Sequence, residues 1–590
     1  MKINAKIYIG LFITLVYFLI HLLIINDYGI SWDFHYHLFG GLYHLGQKVP
    51  SINDPYPIPF TPPDPRLATN DPFGPFTQII PAASYLIFYK NLHLLPFDSA
   101  YNLPSVIFGS LGVLVLFLFL YESINFPVAL FFSIFLALLP THFGYLHNNM
   151  KDVPNAFAFS LSIYMFWRLV KYQRLKDLFI AVLSFAFAFN IKINSVMVPA
   201  VCLVWFLFKE RKAIITVIPT KRSPSTVRYG TSAWRDLLRM RVSLSDKLRD
   251  SSTALGMTVK KYKLIILYFV LTPLAALLVW WPFWRDPIGK ILELPFYFTH
   301  NTLNMPVLFL GKIYRSGINI PWDYPWIYIL FTTPIGILVS FLTGLAISLS
   351  KLLNKNPVYG LLLFWLIVPL IRYLILNVAA IDGMRHFMEI IYPLSALAGI
   401  GFYFICKQLE IVIQKLKAIL FFERKREVFQ RESSRLEVSN NKKLPISSIT
   451  LFAIVILTLV YNLYKFHPYQ TSFYNALTGG VKGADGKFDI DFWGTPQREA
   501  MLWLNKNAPN GSFIHVVMAQ SSAAMYARVD LQDKINKKDW QNSDYTVILN
   551  KRSFFTIYPV EKYLSKSLNE NKLVYKKTIE GVPLFWVIKN

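Results

Sequence analysis

Asp33 sits in Gly29-Ile-Ser-Trp-Asp-Phe-His35, just past the first long apolar run of the chain. A carboxylate there can take a proton from a hydroxyl within hydrogen-bond reach, which is general-base chemistry. The same acid could cap the following helix or rest in solvent. Asp33, His35 and His37 alternate, a spacing that admits a divalent metal held by His35 and His37. A second polar concentration reads His147-Asn-Asn149-Met-Lys151-Asp152-Val-Pro154. Asp152 has the position of an N-cap, yet five polar residues between two apolar runs exceed what capping requires. A third, Asp382-Gly-Met-Arg385-His386-Phe-Met-Glu389, opens another apolar run. The guanidinium of Arg385 suits bidentate phosphate binding with His386 beside it; an interfacial arginine at a helix end is the other reading. Asn70-Asp71-Pro72-Phe-Gly-Pro75 reads first as a turn.

The elements that must position these groups are membrane spans. Of 590 residues, 54% are hydrophobic and only 16% charged, whereas a soluble domain carries about a quarter charged residues. A membrane core needs roughly 20 apolar helical residues. The run from Ile7 to Ile25 meets this; its length and the lack of a small-residue cleavage site argue against a signal peptide. Further spans are predicted near 104–121, 126–143, 153–170, 177–191, 195–208, 264–282, 326–350, 357–376, 387–406 and 447–464, about eleven in all. The stretch Phe76 to Leu95, broken by Pro81, Lys90 and His93, is expected to lie at the interface as a helix. Two cysteines, Cys202 and Cys406, both in apolar runs, exclude a disulfide scaffold or a multi-cysteine zinc site.

The formal net charge of +26 comes from 60 Lys+Arg against 34 Asp+Glu. Nucleic-acid binding would interleave basic residues with exposed aromatics on a folded face. Here they concentrate in two loops, 209–263 and 407–446, which the positive-inside rule makes cytoplasmic. No nucleic-acid partner is expected. The N-terminus is then cytoplasmic, and 26–103, 283–325 and everything past 465 lie outside. The tail 465–590 has a helical pattern at Pro496 to Asn507. Strand-like runs follow at Phe513 to Met518, Tyr545 to Leu549, Lys572 to Ile579 and Val582 to Ile588, as in a small α/β domain. The expected fold is mainly α: a polytopic helical bundle at 1–464 and an α/β ectodomain at 465–590.

The span centres are nearly free of charge, and the polar residues gather at predicted outer ends. An ion-coupled transporter places acids near the midplane, so a reaction site at the outer face is the better reading. A multi-pass transporter or lipid flippase is the alternative, and a non-catalytic scaffold that binds a partner through its ectodomain is a third.

Four stretches together resemble the polytopic GT-C glycosyltransferases, in particular bacterial members related to family 39, the protein O-mannosyltransferase and aminoarabinose-transferase group. They are the Asp33 segment, Asn70-Asp71-Pro72-Phe-Gly-Pro75, His147 to Pro154, and Gly383-Met-Arg-His386. His467-Pro-Tyr-Gln, Gly479-Gly480 and Asp489-Ile-Asp491-Phe-Trp493-Gly494 resemble a juxtamembrane stretch of some bacterial relatives. The chain departs from the pattern in following Asp33 with Phe34 where relatives commonly pair two acids. It also has Asp71-Pro72-Phe73 in place of a His-Pro-Pro turn.

The resemblance implies a membrane glycosyltransferase (hexosyl or pentosyl) that moves a sugar from a polyprenyl-phosphate donor to a glycan, lipid or protein acceptor on the outer face. It makes Asp33 and Asp152 catalytic acids, gives Arg385, His386 and Lys192 to the donor phosphate, and assigns His147, Asn149 and Asp71 to positioning acceptor or sugar. A nucleotide-sugar donor is not expected, since no Rossmann-like Gly-rich loop is visible. No cofactor is required beyond the divalent metal that His35 and His37 admit. The expected location is a bacterial inner membrane, among membrane lipids.

Overall fold

The computed structural model describes residues 5–49, 74–217, 262–280, 284, 286–289, 291–293, 304–353, 356–374, 378–424 and 446–590. Within these, each of the eleven predicted spans overlaps a helix. Eight helices are long and apolar enough to cross a membrane: Ala5–Asp27, Phe97–Ser123, Ile193–Arg211, Tyr262–Val279, Ile335–Leu352, Pro357–Leu374, Gly383–Leu416 and Ser447–Lys465. The remaining three predicted spans correspond to Phe126–Ala137, Asp152–Tyr172 and Leu175–Ile191. The protein is a multi-pass membrane protein built as a helical bundle. Only helices and closed barrels satisfy every backbone group inside a bilayer, so long apolar segments have little choice. Hydroxyls on these helices close onto their own backbone: Ser133 donates to the Ala129 carbonyl, Ser160 to Ala156 and Ser162 to Ala158, at 2.7–2.8 Å.

Two predicted spans are interrupted, both ahead of a proline. Phe126–Ala137 stops, and Pro140–Tyr145 begins a new short helix. Likewise Tyr324–Thr332 ends before Pro334, and Ile335–Leu353 follows. Leu139 and Thr333 take extended ψ values of 116° and 128°, as steric conflict with the following ring demands. The bundle packs tightest where Ile335–Leu353 crosses Ile391–Arg424. A Cβ on Gly344 would sit 1.8 Å from the Leu397 carbonyl oxygen, and one on Gly401 1.9 Å from that of Ser340. Small residues let the two backbones touch.

Pro75–Ser84 continues through a π-helical turn, Tyr85–Asn91. Helix direction fixes where the basic stretches begin. Met197–Val217 and Ile391–Arg424 both start beside the polar site described below and run away from it, so Lys209 and Lys407 lie towards the other end. Most of the two basic loops, 218–261 and 425–445, lies outside the described residues.

Two short strands, β1 (Pro306–Phe309) and β2 (Lys312–Arg315), pair antiparallel, and Phe309 bridges to Phe488. Four-residue strands are too brief for alternation to register, and the sequence pattern does not predict this hairpin. The tail forms the expected small α/β domain. After the helix Gln497–Asn507 come β3 (Ile514–Val516), β4 (Tyr545–Leu549), β5 (Leu573–Ile579) and β6 (Val582–Lys589), in the order β3-β4-β6-β5. β3 and β4 are parallel and the other pairs antiparallel. Glu580 and Gly581, with φ of 51° and 82°, make the tight turn that joins β5 to β6.

Candidate functional site

Asp33 immediately precedes the helix Phe34–His44, yet its carboxylate makes no capping bond. It pairs instead with the ammonium of Lys151, 118 residues away. Asp152 opens the helix Asp152–Tyr172, but the capping is done by Asn149, whose side-chain oxygen accepts from the Asp152 amide at 2.8 Å and the Lys151 amide at 3.2 Å. The Asp152 carboxylate is thereby free to accept from the Asn149 amide at 3.0 Å and to pair with Lys192 at 2.5 Å. The capping readings of both acids therefore fail: each carboxylate turns to a lysine.

Lys192 lies between the helices Leu175–Ile191 and Met197–Val217 in extended backbone. Gly74 holds this corner, because a Cβ there would come within 1.9 Å of the Asn190 carbonyl oxygen. The Gly74 amide donates to the Ile191 carbonyl at 3.0 Å, and the Thr77 hydroxyl to the same oxygen at 2.6 Å. Asp71, three residues earlier, lies outside the described residues.

The segment Asp382–Ile390 supplies the rest of the cluster. Asp382 takes the left-handed conformation, φ 58°, which costs a non-glycine residue on the order of 1–3 kcal/mol and persists only where the surroundings impose it. Here they do: Oδ2 of Asp382 pairs with Arg385 at 2.7 Å and Oδ1 with Lys551 at 2.6 Å. Lys551 also donates to the Phe492 carbonyl at 3.0 Å. The indole of Trp493 is within cation–π reach of two cations, with Arg385 4.9 Å and Lys151 5.3 Å from its ring centre. Arg372 donates to the His386 carbonyl and pairs with Glu389 at 3.2 Å. The field of Arg385 reaches Asp33 and Asp152 as well as Asp382. His386 is surrounded by Arg385, Lys192, Arg372 and Lys151.

The four carboxylates differ in access. The Asp33 side chain is 38% exposed, against 2% for Asp152, 5% for Asp382 and 2% for Glu389. Asp33 is the one that solvent reaches. Partial burial pushes its pKa up, but Lys151 and then Arg385 outweigh this and hold the carboxyl well below its usual range. Several donors or acceptors remain unengaged inside the cluster. Arg385 Nε, His386 Nε2 and Trp493 Nε1 are buried with no hydrogen-bond partner among the described residues. Buried polar atoms are normally paired, and such a group of orphans marks a place prepared for something polar.

Other expected site residues fall elsewhere. His147 is fully buried in a separate group of rings, hydrogen-bonded to His21 at 2.7 Å and stacked on Tyr28 at 3.8 Å. The Tyr28 hydroxyl in turn donates to Gln470 at 2.9 Å. His147 Nε2 is thus engaged with His21, while its Nδ1 is buried with no hydrogen-bond partner among the described residues. His35 and His37 sit two residues apart on the helix Phe34–His44. At about 100° per residue they point to opposite sides, and the His35 ring packs among Phe34 and Phe39. The alternation would share one face only in a strand. Burial pushes the His37 pKa down to about 3, and Lys151 adds to this. Among the described residues no group of three or more His, Cys, Asp or Glu side chains is gathered as a metal site requires.

The expected site residues did not include Lys151, Asp382, Lys551 or Trp493. Lys151 stands beside Asp152 in the same loop, so proximity was an available signal. For Lys551, 169 residues from Asp382, the sequence carries none.

Residues 80–221, about a quarter of the chain, match the family model described as dolichyl-phosphate-mannose-protein mannosyltransferase. The stretch includes Asn149, Lys151, Asp152 and Lys192, and the resemblance to polytopic membrane glycosyltransferases holds across it. No curated protein matches the chain. Among solved structures, ArnT from Cupriavidus metallidurans bound to undecaprenyl phosphate is 11% identical, covering 99% of this chain and 98% of its own, with a TM-score of 0.44. Archaeal oligosaccharyltransferase AglB from Archaeoglobus fulgidus, in complex with an inhibitory peptide and a dolichol-phosphate, is 12% identical. That match covers 95% of this chain and 68% of AglB, also with a TM-score of 0.44.

Proposed function

We propose that the protein is a membrane glycosyltransferase that moves a sugar from a polyprenyl-phosphate donor to an acceptor hydroxyl on the outer face of the membrane. The observation that carries this reading is the arrangement around Arg385. A guanidinium, an imidazole and an indole with unpaired N or N–H atoms stand within the same cluster as Asp33, the solvent-reached carboxylate. The family match over residues 80–221 supports it, since members of that family are described as using a lipid-phosphate sugar donor.

In the reaction the acceptor oxygen bonds to the anomeric carbon while the bond from that carbon to the phosphate oxygen breaks. The electron pair leaves with the phosphate, and the acceptor proton passes to Asp33. An ionised carboxylate with a depressed pKa is a weak base towards a resting hydroxyl. It suffices late in the displacement, when the acceptor oxygen has become acidic by bonding to carbon. Arg385 and His386 stabilise charge on the departing phosphate, as pre-placed donors do for developing anions. Lys192 contributes a further positive charge, oriented by Asp152, with Asn149 fixing Asp152 in turn. Asp71 is assigned to positioning of acceptor or sugar.

Helix direction supports the outer face. The two helices that lead from the cluster into the basic stretches run to the opposite end of the bundle, and with those stretches cytoplasmic by the positive-inside rule the cluster and the sheet domain lie outside on this reading. The N-terminus is then cytoplasmic, in a bacterial inner membrane. The reading is tested by incubating the purified protein with a panel of polyprenyl-phosphate sugars and following sugar release or transfer by mass spectrometry. Transfer to a hydroxyl acceptor is the expected result. Movement of the lipid across vesicles with no covalent change would favour a flippase.

A further inference from the structure

A crevice of about 760 Å³ lies apart from the carboxylate cluster, between the start of Ile335–Leu353, the end of Ile446–Lys465 and the chain that follows it. Its wall includes Ile335, Ile454 and Thr458. Lys465, Lys482 and Glu580 also line it, from the end of the long helix, the following segment and the β5–β6 turn. The helix that supplies Ile454 and Thr458 to the wall is only 17% buried over its apolar window, so this side of the bundle meets lipid chains. Two tyrosines near its end, Tyr461 and Tyr464, are 60% and 82% exposed. Exposed tyrosines mark the headgroup level of a bilayer, which places the lysines among headgroups and the apolar wall among acyl chains.

The charges at that level select the occupant. Lys465 pairs with Glu580 at 2.5 Å, and the second Glu580 oxygen accepts from the Val481 amide at 2.7 Å. Lys482 is exposed and makes no ion pair among the described residues. Two ammonium groups against one carboxylate leave a formal charge of +1, which a singly charged phosphodiester balances. A phosphate monoester, at about −1.5 to −2 near neutral pH, would exceed it. The volume falls within the roughly 300–1,000 Å³ of sites that enclose small ligands, room for a headgroup and the upper part of a chain.

We propose that this crevice binds one anionic glycerophospholipid, its phosphodiester at Lys482 and Lys465 and an acyl chain along Ile335 and Ile454. The site is separate from the reaction proposed above and does not depend on it.

The test is native mass spectrometry of the full-length protein in detergent, titrated with phosphatidylglycerol or phosphatidylcholine. One phosphatidylglycerol molecule is expected to be retained in preference. Lys482→Gln should weaken that retention about fivefold, since each basic group at a membrane surface is worth about 1 kcal/mol towards anionic lipid. Thr458→Trp, on an exposed helix face, should weaken retention of both lipids by filling the wall. Unchanged thermal unfolding of the two variants checks that they fold. Equal retention of the two lipids, or indifference to both substitutions, overturns the proposal. So does displacement by inorganic phosphate alone, or a preference for a polyprenyl monophosphate.

Discussion

Lys551, in the sheet domain, places its ammonium 2.6 Å from Asp382, at the start of the segment that carries Arg385. Asp382 divides its two oxygens between Lys551 and Arg385, so the sheet domain fixes the orientation of a guanidinium at the membrane site. Breaking a buried pair by removing one partner costs about 3–5 kcal/mol; because Arg385 still compensates Asp382, Lys551→Met should fall at or below the low end. Turnover should drop about tenfold, with a rise in the KM for the lipid donor, and Lys551→Arg should restore part of it. Steady-state kinetics beside thermal unfolding separates this positioning role from simple loss of fold.

Asp33→Asn should leave expression and thermal unfolding near wild type, because the side chain is partly exposed and the amide can still accept from Lys151. Transfer should fall about 100-fold or more, the scale of a general-base contribution. Because Lys151 and Arg385 keep Asp33 ionised well below the usual carboxylate range, wild-type kcat/KM should show no acid limb from this group above about pH 4. Lys151→Met should raise that limb towards neutrality. Wild-type turnover by Asp33→Asn would remove Asp33 as the base.

Arg385→Ala should cost about 100- to 1,000-fold in kcat/KM for the phosphate donor, as loss of a pre-placed donor to a developing anion does. Arg385→Lys should recover little, since an ammonium cannot reproduce the planar fork or the stacking on Trp493. Competition by a sugar-free polyprenyl phosphate, measured for each variant, checks that the loss is specific to the phosphate.

Asp491 is a buried acid whose cost can be read from pH. Burial pushes its pKa up to about 6, although the Gly494 amide donates to it at 2.7 Å. The unfolded chain releases this proton near 3.9. Between those values the folded state holds more protons, so stability falls as pH rises from about 4 to about 6 and is flat above. At pH 7 the penalty is about 3 kcal/mol. Asp491→Asn should raise the thermal midpoint at pH 7 and flatten that slope, with the Gly494 contact retained through the amide oxygen. Unfolding scans at several pH values give the result directly.

His147→Ala should destabilise the bundle, because it leaves His21 without its partner in a fully buried place. Per folded molecule, donor KM should stay within about twofold of wild type. A large, selective change in KM at unchanged thermal stability would return His147 to the site.

Much of the architecture was legible because a bilayer allows few solutions. Apolar runs of sufficient length became helices, and even the two interruptions sit ahead of Pro140 and Pro334, where local sterics act alone. The turn at Glu580-Gly581 was readable for the same reason. The site was legible only in part. Asp33, Asp152, Lys192, Arg385 and His386 could be singled out because charged residues beside apolar spans are costly and therefore conspicuous. Lys551, 169 residues from Asp382, could not.

The sequence by itself determined the class of the protein, its spans and which loops hold the reactive residue types, since hydrophobic length, charge placement and proline act over a few residues. Only the tertiary structure decided that Asn149 rather than Asp152 caps its helix, that His147 belongs to His21 and Tyr28, and that His35 and His37 face apart. It alone brought Lys551 and Trp493 to Arg385. An ion pair between residues far apart in the chain has no sequence period: it forms wherever packing carries two charges out of water together, and that depends on the whole chain.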